Sequence, residues 1–209
     1  MYYEKLQVAP RTASYKPRVY YARDEDWNPL IVKGPLPIKE VQAMVETERI
    51  KQILGVPRTH VRREGNMLIA DALYDYDFGD SHTCTSGIDK GQQISNIKLK
   101  MWKHFGYDVT TERSFLKALA LRLVLGTDDT VPCNFVVVGQ TVYSVDDPAW
   151  MREPSKIWKV KSHSEHYDTM LDTHWEWVRA FLLDWTEAEL PPFCVLMCHK
   201  YLDRNNWVF

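Results

Sequence analysis

Thr127-Asp128-Asp129-Thr130-Val131-Pro132-Cys133-Asn134-Phe135-Val136-Val137-Val138, followed after a Gly-Gln turn by Val142-Tyr143-Ser144-Val145-Asp146-Asp147, decides how this chain is read. An acid precedes an asparagine with four residues between them. A short apolar strand, a turn and a second apolar strand follow, and the second strand ends on another acid. That order can bring three oxygen-bearing side chains to one end of a β-hairpin. Magnesium and a transferring phosphate need such groups: few, hard and held on rigid elements. Taken alone, the same residues also describe an ordinary hairpin with polar turns.

The surrounding chain restricts the class. Its 209 residues allow one large domain or two small ones. With 45% hydrophobic and 26% charged residues the composition is that of a globular protein. The formal net charge of −2 offers no basic field, so no nucleic-acid partner is expected. No apolar run reaches membrane-spanning length, and Met1-Tyr2-Tyr3-Glu4-Lys5 leads into no apolar signal segment, so an intracellular location is expected. Cys84, Cys133, Cys194 and Cys198 form no compact disulfide framework, which suits a reducing compartment. Cys194, Cys198 and His199 lack the paired spacing of zinc ligands; small buried thiols on a helix are the simpler account.

Upstream, strand signals dominate. Tyr2 to Val8, Arg18 to Ala22 and Leu30 to Lys33 read as strands, with polar turns at Arg11–Pro17 and Asp24–Pro29. Ile38 to Leu54 reads as a helix that buries Ile38, Val41, Val45 and Ile53 and is ended by Gly55 and Pro57. Arg58 to Arg63 and Met67 to Leu73 read as a hairpin around Glu64-Gly65-Asn66. A polar connector covers Tyr74 to Gly91. Helices are expected over Ile94–Phe105, Glu112–Leu125, His163–Trp185 and Glu187–Leu202, with Pro148–Ser162 irregular.

Lys33 closes an apolar strand, where its amine can hold a phosphate if a carboxylate orients it. Glu48, beside the stripe of Val41 and Val45, is the first candidate for that carboxylate, and Glu40 the second. Read without its context, Lys33 is a solvated strand-end lysine. Trp175, Trp177, Phe181, Leu182 and Trp185 form an aromatic stripe that can be a partner face but suits a core better. His163, His166 and His174 lie among acids, which suits a solvated helix face better than a metal cluster. Arg152, Lys156, Lys159 and Lys161 can receive an anionic substrate or can simply be solvated.

A strand meander with a lysine, a helix with a glutamate, a hairpin, a connector and then the Asp-x4-Asn-hairpin-Asp cassette resembles the kinase fold. Thr12-Ala13-Ser14-Tyr15-Lys16-Pro17-Arg18 looks like the phosphate loop of phosphoinositide kinases, and Leu125 to Phe135 is similar to the catalytic loop of HipA-like toxin kinases. The resemblance covers roughly the first three quarters of the chain. It departs from the family in lacking a G-x-G-x-x-G loop, in Thr130-Val131-Pro132-Cys133 where a His or Arg is usual, and in Asp146-Asp147-Pro148 for Asp-Phe-Gly.

The resemblance implies an α+β, two-lobed kinase-like fold, with a β-rich lobe over 1–76 and a helical lobe over 77–209. It implies an ATP- and magnesium-dependent phosphotransferase acting on a protein, lipid or small-molecule hydroxyl. In that reading residues 12 to 16, including Ser14, cover the phosphates and Lys33 contacts them, oriented by Glu48 or Glu40. Residues 70 to 74, among them Ala70 and Leu73, meet the adenine through backbone groups. Asn134 and Asp146 hold magnesium, with Asp147 a rival for Asp146. Asp129 orients the acceptor hydroxyl, with Asp128 its rival. The departures equally allow a pseudokinase acting as a nucleotide-binding or scaffold module, and transfer of a nucleotidyl group is a third possibility.

Overall fold

The computed structural model describes residues 2–4, 18–26, 28–73, 92–93, 108–127, 134–145, 147, 171 and 173–203. In chain order the elements are β1 (Tyr2–Glu4), β2 (Arg18–Arg23), β3 (Pro29–Gly34), α1 (Ile38–Ile53), β4 (Val61–Glu64), β5 (Met67–Asp71) and β6 (Gln92–Gln93). They are followed by α2 (Val109–Val124), β7 (Phe135–Val138), β8 (Thr141–Ser144), α3 (Trp175–Thr186) and α4 (Pro192–Leu202). Antiparallel pairing orders the first sheet β1-β2-β3-β5-β4 and the second β6-β7-β8. The architecture is mixed, with small antiparallel sheets and helices.

Side-chain alternation makes the first sheet two-faced. Ala22, Leu30, Val32 and Ile69 close one face. On the other, Leu68 packs with Leu36, Val41 and Met44, so α1 covers it. Lys33 stands opposite Leu68 in the β3–β5 register and therefore leaves the backbone on the α1 side. Gly34 ends β3 with φ 153, and a Cβ there would meet the Met67 Sδ at 2.6 Å. A side chain at that position would collide with the neighbouring strand.

Helix α1 serves two cores, and this corrects its expected stripe. Val41 and Met44 face the sheet, while Ile50, together with Leu54 and Val56 beyond the helix, joins the core of α2, α3 and α4. The buried set is Val41, Ala43, Met44, Thr47, Ile50 and Lys51; Ile38 is 52% exposed and Ile53 only partly buried. A helix wedged between two surfaces has no single apolar face, so periodicity misplaces the stripe. Gly55, at φ 60, closes the helix. Its N–H donates to the Gln52 carbonyl (3.2 Å) and that of Val56 to the Lys51 carbonyl (2.8 Å).

Helix α2 runs through the middle of the larger core and is apolar nearly all round, including Phe115, Leu116, Leu119 and Leu123. It starts earlier than the expected Glu112 because Asp108 caps it, accepting the Thr111 N–H at 2.8 Å. It ends as α1 does: Gly126 has φ 63, and Thr127 N–H donates to the Arg122 carbonyl at 3.0 Å.

The last expected helix, Glu187–Leu202, begins only at Pro192. Pro191 is extended at ψ 140, as a residue before proline prefers, so the two prolines set the boundary. The preceding expectation, His163–Trp185, is described as a helix from Trp175 to Thr186. Phe181, Leu182 and Trp185 are buried and Trp175 and Trp177 pack against them, so the aromatic stripe is core. Strand β6 went unanticipated: Gln92 and Gln93 pair with Val137 and Val136 but carry no strand signal of their own.

Several expectations lie outside the described residues: the turn over 11–17, the connector over 74–91, the helix over 94–105, the segment over 148–162, and His163 and His166. Among the described residues no helix is long and apolar enough to cross a membrane.

Candidate functional site

The β7–β8 hairpin turns through Gly139-Gln140, with Gly139 at φ 59. Its tip is tied to α2: the Gln140 side chain donates to Asp108 Oδ2, and Val142 N–H donates to Ser114 Oγ at 2.8 Å. The opposite end is the one the sequence singled out. There Phe135 pairs with Ser144, and Val145 N–H donates to the Asn134 carbonyl at 2.9 Å. The ladder thus continues past the strands and holds Asn134 beside the residue that precedes Asp146. Asn134 is buried, at 8% exposure.

Beside this end lies a buried ionic cluster in which Glu48 and Asp147, both named from the sequence, meet Lys51 and Arg122, which were not. Arg122 on α2 donates to Ser144 Oγ (3.0 Å), to the Val145 carbonyl (3.1 Å) and to Asp147 Oδ1. Ser144 Oγ donates to the same carboxylate oxygen at 2.8 Å. Lys51 on α1 donates to the Ser144 carbonyl at 2.7 Å and lies 3.0 Å from Asp147 Oδ2. Lys51 also bonds Glu48 Oε1, while Glu48 Oε2 accepts the Thr59 N–H at 3.1 Å. Thr47 donates to the Asp147 carbonyl at 3.2 Å. The side chains of Lys51, Arg122 and Asp147 are each 2% exposed or less.

Two cations and two carboxylates balance in this cluster, which is how buried charge is tolerated. Burial presses the Asp147 carboxyl upward, but Arg122, Lys51 and the Ser144 hydroxyl outweigh it and hold it below the usual range. Burial likewise works against the Lys51 ammonium, and Asp147 and Glu48 reverse the effect and raise it. For Glu48 burial wins over Lys51, with the Asp147 charge adding to it, and its carboxyl is raised. Both cations sit three residues before the cap of their helices, where the negative end of the helix dipole favours them.

The signals were present but quiet. Arg122 interrupts the apolar run Ala118-Leu119-Ala120-Leu121-Arg122-Leu123-Val124-Leu125, where a charge has to find a partner. Thr47 and Lys51 are four apart on α1, hence on one face.

The expected site residues are distributed as follows. Lys33 is half-buried on the α1 side of β3. Glu48 is engaged by Lys51, so the expectation that it orients Lys33 meets a competitor on its own helix; Glu40 is exposed. Ala70 is in β5 and Leu73 just beyond it, both half-buried. Asn134 opens the hairpin. Ser14, Asp128, Asp129 and Asp146 lie outside the described residues, as do Arg152, Lys156, Lys159 and Lys161.

Away from this end, His174 Nε2 meets Glu112 Oε1 at 2.9 Å and its ring stacks on Trp177. Cys194 and Cys198 are buried on α4, and burial pushes both thiols up to about 12. Among the described residues no three His, Cys, Asp or Glu side chains group as metal ligands.

No protein-family model and no curated protein matches the sequence. Among solved structures the chain is similar to the crystal structure of the Helicobacter pylori proinflammatory kinase CtkA, at 12% identity and a TM-score of 0.42 over 89% of each chain.

Proposed function

We propose that the chain is an atypical kinase: an ATP-dependent phosphotransferase whose site lies between a β-rich lobe, residues 1–76, and a helical lobe, residues 77–209. The observation that carries the reading is the bond from Val145 N–H to the Asn134 carbonyl, at a hairpin end docked on α1. It pairs the Asn134 backbone with Val145, the residue before Asp146-Asp147 in sequence, and α1 packs on the sheet that carries Lys33. The donor set is all oxygen, which suits magnesium and not a softer metal. Asn134 and Asp146 would hold that ion. Magnesium supplies charge neutralisation between phosphates.

The chain's own residues then do the rest. Lys33 contacts the phosphates, and the backbone of residues 12 to 16, with the Ser14 hydroxyl, covers them. Ala70 and Leu73 meet the adenine through backbone groups. Asp129 orients the acceptor hydroxyl and receives its proton late. In such reactions catalysis is chiefly positioning and electrostatics. Replacing Asp146 by Ala should abolish magnesium-dependent ATP turnover without unfolding the chain. Undiminished turnover would overturn the assignment.

One observation favours the second reading, a pseudokinase that serves as an interaction module. Glu48, the preferred partner of Lys33, is bonded to Lys51. Thermal unfolding with ATP, with and without magnesium, separates the two readings. A ligand at a hundred times its dissociation constant adds about 2.7 kcal/mol. A gain that requires magnesium supports the enzyme; a gain indifferent to magnesium supports the pseudokinase.

A further inference from the structure

We propose that Glu48 is a proton-operated latch on α1: charged, it shares the Lys51 ammonium with Asp147 and holds the loop before β4, and once protonated it hands Lys51 over to Asp147. The inference is independent of the phosphotransfer reading and holds for a kinase and a pseudokinase alike.

One ammonium serves two carboxylates here. Lys51 Nζ donates to Glu48 Oε1 and to the Ser144 carbonyl, and it also lies 3.0 Å from Asp147 Oδ2. That third contact is an ion pair without a hydrogen bond, because Asp147 Oδ2 is buried and has no hydrogen-bond partner. The distance is short enough, so the angle of approach is what fails. A buried carboxylate oxygen left in this state is unfavourable. Losing Glu48 as an acceptor would let the ammonium swing toward Oδ2 and correct that angle.

The two acids are not equally supported. Asp147 is 1% exposed, and its Oδ1 accepts from Arg122 and Ser144. Glu48 is 13% exposed, within reach of water, and accepts from Lys51 and from the Thr59 N–H. Where two carboxylates surround one cation, a proton goes to the less supported of them. Burial, with the Asp147 charge behind it, raises the Glu48 carboxyl against the pull of Lys51, whereas Asp147 is held low despite its burial by Arg122 and Lys51. The charges acting on Glu48 are Lys51 of its own helix and Asp147 beyond β8, with Arg122 of α2 on the other oxygen of Asp147. The loop before β4 presents the Thr59 N–H, which Arg58 and His60 flank in sequence. Protonation weakens both bonds of Glu48, since a neutral carboxyl accepts less strongly than a carboxylate. The hold of α1 on the loop before β4 then slackens, and its hold on the turn after β8 tightens.

The test is an NMR titration of the full chain from about pH 4 to about pH 8, with Glu48→Gln as the reference. It follows the Glu48 carboxyl carbon, the Thr59 amide and the Lys51 ammonium nitrogen. The Glu48 midpoint should lie above its unfolded value of 4.5, and the Thr59 and Lys51 signals should move with that midpoint. Both movements should vanish in Glu48→Gln, which cannot titrate. Stability follows the same sign. A carboxyl raised in the folded state favours folding most below 4.5, and the contribution is lost as pH rises through the folded midpoint. The melting temperature of the parent should therefore fall relative to that of Glu48→Gln over this window. The inference is overturned if Glu48 titrates at or below 4.5, or if the melting difference runs the other way. It is equally overturned if Thr59 responds while the Lys51 ammonium does not, since no hand-over then occurs. If Glu48→Gln fails to fold, the titration of the parent alone decides.

Discussion

Lys51 occupies a position on α1 where an apolar residue would ordinarily sit, 1% exposed and surrounded by Glu48, Asp147 and the Ser144 carbonyl. Removing one member of a buried ion network strands its partners, a larger cost than the network's net worth. Lys51→Met should therefore destabilise the chain by about 3–5 kcal/mol, read from urea unfolding. Leu196→Ser, at a site 61% exposed, should stay within about 0.5 kcal/mol. Equal stabilities for the two variants would mean that the tie across α1 does not form. Individual residues were the least legible part of the sequence. Lysine is normally solvated, so nothing in the sequence marked Lys51 as buried, and Glu48 was matched instead to Lys33. Arg122 was the exception that could have been read, because its neighbours are apolar on both sides.

Elements were read far better, since hydrophobic period and turn residues act locally. The β2–β3 and β4–β5 hairpins, α1 and the β7–β8 hairpin fall where Gly, Pro, Asn and Asp punctuate the chain. Boundaries moved where a cap or a proline intervened, as at Asp108 and at Pro191. The Asp108 cap makes a pH-dependent contribution whose sign follows from its contacts. The Thr111 N–H, with help from Gln140, holds this carboxyl below its unfolded value of 3.8. A depressed carboxyl stabilises the fold above the unfolded value, and the contribution disappears as pH falls through the lower folded one. Asp108→Ala should lower the melting temperature at neutral pH, and the difference from the parent should shrink below pH 3.8. A difference that does not change with pH would assign the loss to helix propensity and not to the charged cap. Helix α4 makes a separate prediction. Only the thiolate is nucleophilic, and Cys194 and Cys198 are held up at about 12 inside the core. Iodoacetamide at pH 8 should leave both unlabelled in the native chain and modify both in urea, as peptide mass mapping would show. Rapid native labelling of either would contradict their burial.

At the scale of the whole molecule, α1 matters more than its sequence suggested. The chain divides naturally on paper at a polar connector, with strands before it and helices after. In three dimensions that division is crossed by the residues of one helix and its cap. Val41 and Met44 complete the sheet's core, while Ile50, Leu54 and Val56 lie in the same cluster as Phe115, Leu119, Phe135, Leu182 and Cys198. Lys51 adds the buried ionic contact to the second hairpin. Single-sequence patterns could not show this, because a helix facing two partners displays neither face cleanly. The energetic consequence is cooperativity. Neither part can lose α1 without exposing its own apolar surface, so unfolding one part removes support from the other. Calorimetry should give a single transition whose van't Hoff and calorimetric enthalpies agree, with tryptophan fluorescence and far-ultraviolet circular dichroism reporting the same midpoint. Ile50→Ala should lower that midpoint for both probes together, by the equivalent of about 2–5 kcal/mol, since it opens a cavity where α1 enters the larger core. If the fluorescence midpoint moves alone, the two parts unfold independently and α1 belongs energetically to only one of them.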